Sequence, residues 1–134
     1  MKRARVAFAG AVHCATAHPQ CLRLADGRIV AEDAVVWLPP VAPGTIIALG
    51  INYADHRKEL SKELTIGAKD EPLAFLKGPN ALIGHRGTTR RPADARYMHY
   101  ECELAVVIGR TAAKVKRADA MAYVAGYSVA NDYA

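Results

Sequence analysis

At 134 residues, of which 51% are hydrophobic, the chain is long enough to bury a core as one domain at most and too apolar to be disordered. Its net charge of +5 raises the question of nucleic acid, but the basic residues are scattered in short groups such as Arg86, Arg90 and Arg91, and no aromatic platforms interleave with them, which argues against a nucleic-acid partner. No apolar run approaches the ~20 residues of a membrane span, and the basic start at Met1-Lys2-Arg3 is followed by too short an apolar segment for a signal peptide, so no membrane partner is expected.

Residues 1–42 carry short β signals. Val6-Ala7-Phe8 is followed by Leu22-Arg23-Leu24 and Arg28-Ile29-Val30, which flank Asp26-Gly27, a dipeptide that predicts a type I′ hairpin. Trp37-Leu38-Pro39-Pro40-Val41-Ala42-Pro43-Gly44 then reads as a break. Residues 45–49 read as a strand, about 54–63 as a helix and 73–76 as a strand. A loop rich in Gly, Arg and Thr follows from residue 80, then an acidic strand, a short helix over 118–123 and a closing strand over 124–131. Strands outnumber helices, and their alternation is too irregular for a doubly wound sheet, so the expected class is α+β and β-rich. The expected organisation is a β-rich segment over residues 1–42 and a second part over 43–134. Cys14, Cys21 and Cys102 are odd in number and lack Cys-x-x-Cys spacing. They read as small apolar residues of a protein in a reducing cytoplasm, not as a zinc site. His13, His18 and His85 fall in loop-like contexts and read as solvated.

The chemistry concentrates in Tyr100-Glu101-Cys102-Glu103-Leu104-Ala105-Val106-Val107-Ile108-Gly109. Side chains alternate along a strand, so Glu101 and Glu103 point the same way beside an apolar run. Adjacent like charges repel, and at neutral pH the pair needs water or a cation between its oxygens. Asp132 ends the next strand-like run, from Val124 to Asn131. Three convergent oxygen ligands suit Mg²⁺ or Mn²⁺. A Glu-x-Glu at the start of a strand is more often the pattern of a solvated sheet face, and the addition of Asp132 narrows that preference without reversing it. His56 and Glu59, at i and i+3 of the expected helix, share a face, so the carboxylate can orient the imidazole as a general base requires. The bland alternative there is a surface ion pair.

Asn52-Tyr53-x-x-His56-x-x-Glu59, then Phe75-Leu76-Lys77-Gly78-Pro79, then Glu101-x-Glu103, then Asn131-Asp132 in this order resembles the fumarylacetoacetate hydrolase family. Met98-His99-Tyr100-Glu101-Cys102-Glu103-Leu104 and the residues after it are most similar to the branch of that family that works in homoprotocatechuate (4-hydroxyphenylacetate) breakdown. The resemblance runs from about Pro43 to the last residue. It implies an incomplete β-roll of this family with short helices, in which residues 43–134 form the N-terminal part of the catalytic domain and residues 1–42 a β-rich remnant. It further implies His56 and Glu59 as a proton-transfer dyad, Lys77 as a substrate-contacting or charge-balancing lysine, Glu101, Glu103 and Asp132 as ligands of Mg²⁺ or Mn²⁺, and a homodimer. His99 precedes the acidic strand and reads as a residue behind the ligands.

The implied chemistry is the decarboxylation or isomerisation of unsaturated 2-oxo dicarboxylates through a metal-bound enolate, with acylpyruvate hydrolysis as the alternative. The basic balance of the chain suits an anionic substrate of this kind. Family domains continue beyond the position of Asp132, so the chain reads as truncated. Two strands left uncovered would then expose apolar surface and open backbone edges, and a non-catalytic fragment or subunit is the reading from a different class.

Overall fold

Three tight reversals and one longer connection fold the first 38 residues into an antiparallel sheet of five strands: β1 Arg3–Phe8, β2 Ala11–His18, β3 Cys21–Leu24, β4 Ile29–Ala31 and β5 Val36–Leu38. Their order is β4-β3-β2-β1-β5. The structure is a computed structural model that describes residues 1–55, 58 and 73–134. Its contacts divide the chain into two units, Met1–Thr88 and Thr89–Ala134, where length alone suggested one domain. The boundary expected at 42/43 falls in the connector that leaves the five-stranded sheet.

The turns explain the sheet. β1 and β2 are joined by Ala9-Gly10, with φ of 48° and 78°, the two left-handed residues of a type I′ turn. Pro19-Gln20 joins β2 to β3, with Gln20 at φ 63°, which fits a type II turn with Pro at its first central position. The Asp26-Gly27 hairpin forms where expected between β3 and β4, but it is not type I′, because Gly27 alone is left-handed, at φ 91°. Instead the Gly27 N–H donates to the Leu24 carbonyl at 3.0 Å, and Asp26 Oδ1 accepts from the Arg28 N–H at 3.1 Å. Asp26 also accepts from the Arg28 guanidinium at 2.6 and 3.0 Å. Those hydrogen bonds hold the Asp26 carboxyl down at about 2, and the same pairing raises Arg28.

One face of the sheet is the core. Ala4 and Val6 of β1, Ala15 of β2, and Leu22 and Leu24 of β3 are buried, and Phe8, Ala17, Val30, Val35 and Trp37 pack around them. Trp37 and Leu38 are strand residues, so the break expected from Trp37 onward starts only at Pro39. The Trp37 indole N–H donates to the Glu32 carbonyl at 3.2 Å. His13 lies within β2, not in a loop, with its ring nitrogen 3.3 Å from the Phe8 carbonyl. Cys14 and Cys102 are exposed and Cys21 is half-buried, so only Cys21 fits the expected small apolar role in part.

Beyond the sheet, β6 Ile46–Gly50 pairs antiparallel with β7 Leu73–Lys77. Of the helix expected over 54–63, residues 54, 55 and 58 are helical, and the others lie outside the described residues. After β7 a 3₁₀ turn at Pro79–Ala81 leads to a turn closed by the Gly87 N–H on the Gly84 carbonyl at 2.9 Å. That turn sets the His85 ring edge-on to Trp37, with centroids 5.0 Å apart, and pairs Arg86 with Glu32 at 3.0 Å.

In the second unit, β8 Cys102–Ile108 and β9 Val124–Asn131 form a two-stranded ribbon. The short helix expected over 118–123 is a 3₁₀ segment, Arg117–Tyr123. The observed class is β-rich as expected, and besides the 3₁₀ segments the described helical residues are 54, 55 and 58.

Candidate active site

The acidic strand forms as expected, and its register determines where the acids meet. Cys102 pairs with Asn131 and Glu103 with Ala130. The ladder continues outward, because the Asp132 N–H donates to the Glu101 carbonyl at 2.8 Å and His99 and Ala134 exchange backbone bonds at 2.7 and 3.3 Å. Glu101 therefore lies directly opposite Asp132. Opposed residues in an antiparallel pair share a face, and residues two apart on one strand do too. Glu101, Glu103 and Asp132 consequently occupy one face at one end of the ribbon.

The surroundings of that face are suited to several carboxylates. Its other members are Ala105, Val107, Gly126, Ser128 and Ala130, mostly small residues that leave room beside the acids. Glu103 and Asp132 are half-buried while Glu101 is exposed. The opposite face carries Leu104, Val106, Tyr127 and Val129, which are between 48% and 74% exposed, so the apolar side of this ribbon lies open. Ala125 is the additional residue at the irregularity between Val107 and Ile108. At that end the Arg110 guanidinium stacks 4.2 Å from the centre of the Tyr123 ring.

Asn131 is the residue that sequence reasoning undervalued. Its side-chain oxygen accepts the Glu101 N–H at 3.0 Å, tying the first acid to the strand that carries the third. The available signal was an amide beside an acid at the end of an apolar strand. His99 is tied to the same ladder through its backbone, with its ring 6.4 Å from that of Tyr97.

Lys77 ends β7 opposite Ile46 and is half-buried, with Nζ 5.7 Å from the centre of the Phe75 ring on the same face. His56 and Glu59, the expected dyad, lie outside the described residues. Of their motif, Asn52, Tyr53 and Asp55 are described, and Lys58 Nζ donates to Asp55 Oδ1 at 3.3 Å.

A hard divalent cation fits the donor set. Three carboxylates on one face supply only oxygen, and their mutual repulsion favours a cation among them. Among the described residues no three His, Cys, Asp or Glu side chains come together in a ligating cluster, so the register aligns the acids without joining their oxygens. No helix among the described residues is long and apolar enough to cross a membrane.

Comparison with known proteins identifies the family of the chain. Residues 45–134 match the family profile "Fumarylacetoacetate (FAA) hydrolase C-terminal". The chain is 52% identical over 115 residues to the 4-hydroxyphenylacetate degradation bifunctional isomerase/decarboxylase of Salmonella dublin, covering 81% of this chain and 26% of that protein. It is 56% identical over 95 residues to the homoprotocatechuate catabolism bifunctional isomerase/decarboxylase of Escherichia coli, covering 71% of this chain and 21% of that one. The fold superposes on the crystal structure of 5-carboxymethyl-2-hydroxymuconate delta-isomerase from Mycobacterium smegmatis with a TM-score of 0.80 and 33% identity, over 99% of this chain and 54% of that one. The chain thus spans about a quarter of the length of these curated relatives and about half of that solved structure.

Proposed function

This chain belongs to the fumarylacetoacetate hydrolase family, and we propose that it carries the metal-binding and proton-transfer residues of an enzyme that decarboxylates or isomerises unsaturated 2-oxo dicarboxylates in homoprotocatechuate catabolism. The observation that carries this reading is the placement of Glu101, Glu103 and Asp132 on one face of the β8–β9 ribbon. The names of the Salmonella and Escherichia relatives support the choice of reaction. Acylpyruvate hydrolysis, which the same residues would permit, has no such support among them.

Glu101, Glu103 and Asp132 would hold the cation, Mg²⁺ or Mn²⁺. When bound, the cation would supply Lewis-acid polarisation of a 2-oxo acid. The remaining work falls to the chain's own groups. Asn131 fixes the backbone of Glu101. His56, oriented by Glu59, moves the proton at the carbon next to the keto group, delivering it after loss of carbon dioxide or shifting it between carbons. The ammonium of Lys77 offsets the charge of a dianionic substrate, and the net charge of +5 draws that substrate toward an acidic site.

The test follows the absorbance of a conjugated 2-oxo dienoate in the full-length protein with Mg²⁺ or Mn²⁺. The expected result is turnover in the wild type and none in His56→Ala, with metal affinity near wild type in both. Undiminished turnover in His56→Ala, or a metal-loaded wild type that leaves the chromophore untouched, overturns the reading.

A further inference from the structure

β6 ends at Gly50, and the chain leaves the strand through Ile51, whose φ is 53°. In that left-handed region a side chain branched at Cβ crowds its own backbone, and such a residue is a true outlier. Among the described residues the other non-glycine residues with positive φ are Ala9, Gln20, Arg86 and Lys114, none of them branched at Cβ. Ala9, Gln20 and Arg86 sit in tight turns that call for a left-handed residue. Ile51 sits in no hairpin. It lies between a strand and the helical residues Ala54 and Asp55.

Side chains of β7 approach the strand end before it closely. A Cβ on Gly50 would lie 3.1 Å from Leu73 Cδ2 and 3.7 Å from Phe75 Cε1, so those two side chains close over the glycine and fix the exit of β6. Glycine thus stands where an added side chain would crowd Leu73, and the left-handed conformation falls to the isoleucine one residue later. Such strain persists only where the surroundings over-determine it, and it concentrates where a fold must aim a functional group. The residues aimed here are Asn52 and Tyr53, which open the motif containing His56 and Glu59 in sequence.

We infer that Ile51 is a positioning residue: its left-handed backbone, set against Gly50 under Leu73 and Phe75, fixes the direction in which the segment beginning Asn52-Tyr53 leaves β6. This rests on the function proposed above, because the segment matters to the reaction only if its motif carries the proton transfer. The side chain at 51 acts by limiting the conformations of the turn. Glycine at this position would adopt the same φ without strain and also many others.

The test compares Ile51→Gly and Ile51→Asn with wild type in the full-length protein, reading thermal stability, turnover of the 2-oxo dienoate and amide exchange over residues 52–55. Ile51→Gly is expected to keep Tm unchanged or raised while kcat falls by about tenfold or more, since a small misplacement of a reacting group has effects of that size. Ile51→Asn, which tolerates the left-handed region yet is more restricted than glycine, should restore most of the lost kcat. Exchange over 52–55 should quicken in Ile51→Gly while the amides of β6 and β7 keep their protection. A folded Ile51→Gly protein with wild-type kcat overturns the inference. If the wild type itself shows no turnover, the functional reading fails separately, and the exchange result decides the structural claim: unchanged exchange over 52–55 in Ile51→Gly overturns it.

Discussion

Gly84→Ala should destabilise the first unit by pushing the turn after β7 off β5. A Cβ on Gly84 would run into the Trp37 carbonyl oxygen and come within 2.6 Å of the Trp37 carbonyl carbon and 2.9 Å of that of Leu38. All three are backbone atoms of a strand paired to β1, so no rotamer change relieves the clash. Two responses are open to the protein. If the turn stays, the overpacking costs about 1–3 kcal/mol. If the turn moves away, it gives up the edge contact of His85 on Trp37, about 0.5–1.5 kcal/mol, and the partly exposed Arg86–Glu32 pair, about 0.2–1 kcal/mol. Both routes converge on a loss of about 1–3 kcal/mol, which for a chain of this size lowers Tm by roughly 3–15 °C. The assay is thermal and urea unfolding of wild type, Gly84→Ala and Gly44→Ala. Gly44 has an ordinary φ and nothing within 4 Å of its added Cβ, so its substitution should be neutral or slightly stabilising. Equal Tm for the two variants would refute the close approach of Gly84 to β5.

Two further outcomes follow from the same structure. Asp26 has its carboxyl held at about 2, below the ordinary 3.8, so its pairing with Arg28 stabilises the folded chain above the unfolded value and that contribution is lost as pH falls from about 4 through about 2. The difference in Tm between wild type and Asp26→Asn should therefore shrink over that window, and a difference independent of pH would contradict the assignment. The exposed apolar face of the β8–β9 ribbon should promote self-association, so Val129→Lys, at a position 74% exposed, should shift sedimentation toward the monomer while leaving metal affinity within twofold. Unchanged sedimentation would show that this face is not the contact.

Much of the site was legible because its signal is local. Alternation along a strand put Glu101 and Glu103 on one face, and an apolar run ending in an acid placed Asp132 on the next strand. What alternation could not supply was register, which depends on pairing between strands: that Glu101 faces Asp132, and that Asn131 holds the Glu101 amide, emerges only once β8 and β9 are aligned. The turns failed in an instructive direction. Asp26-Gly27 carries the composition of a type I′ turn, yet the Asp26 side chain bonds to Arg28 and closes a longer loop instead. The type I′ geometry appears at Ala9-Gly10, where alanine gives no compositional sign of it. β2 and β5 escaped notice for related reasons: β2 is rich in alanine, a poor strand former, and the prolines after Leu38 concealed a three-residue strand. The 3₁₀ form of Arg117–Tyr123 likewise has no distinct signal at the level of residue type.

The central claim is that Glu101, Glu103 and Asp132 act together as the ligands of one divalent cation, and calorimetric titration with Mg²⁺ and Mn²⁺ tests it most directly. Wild type should bind a single ion. Glu103→Ala and Asp132→Ala should each weaken that binding by at least roughly tenfold, because each removes one of three oxygen donors from the face. Glu32→Ala, an acid on the separate five-stranded unit, should bind as wild type does. Equal affinity in wild type, Glu103→Ala and Asp132→Ala would contradict the account.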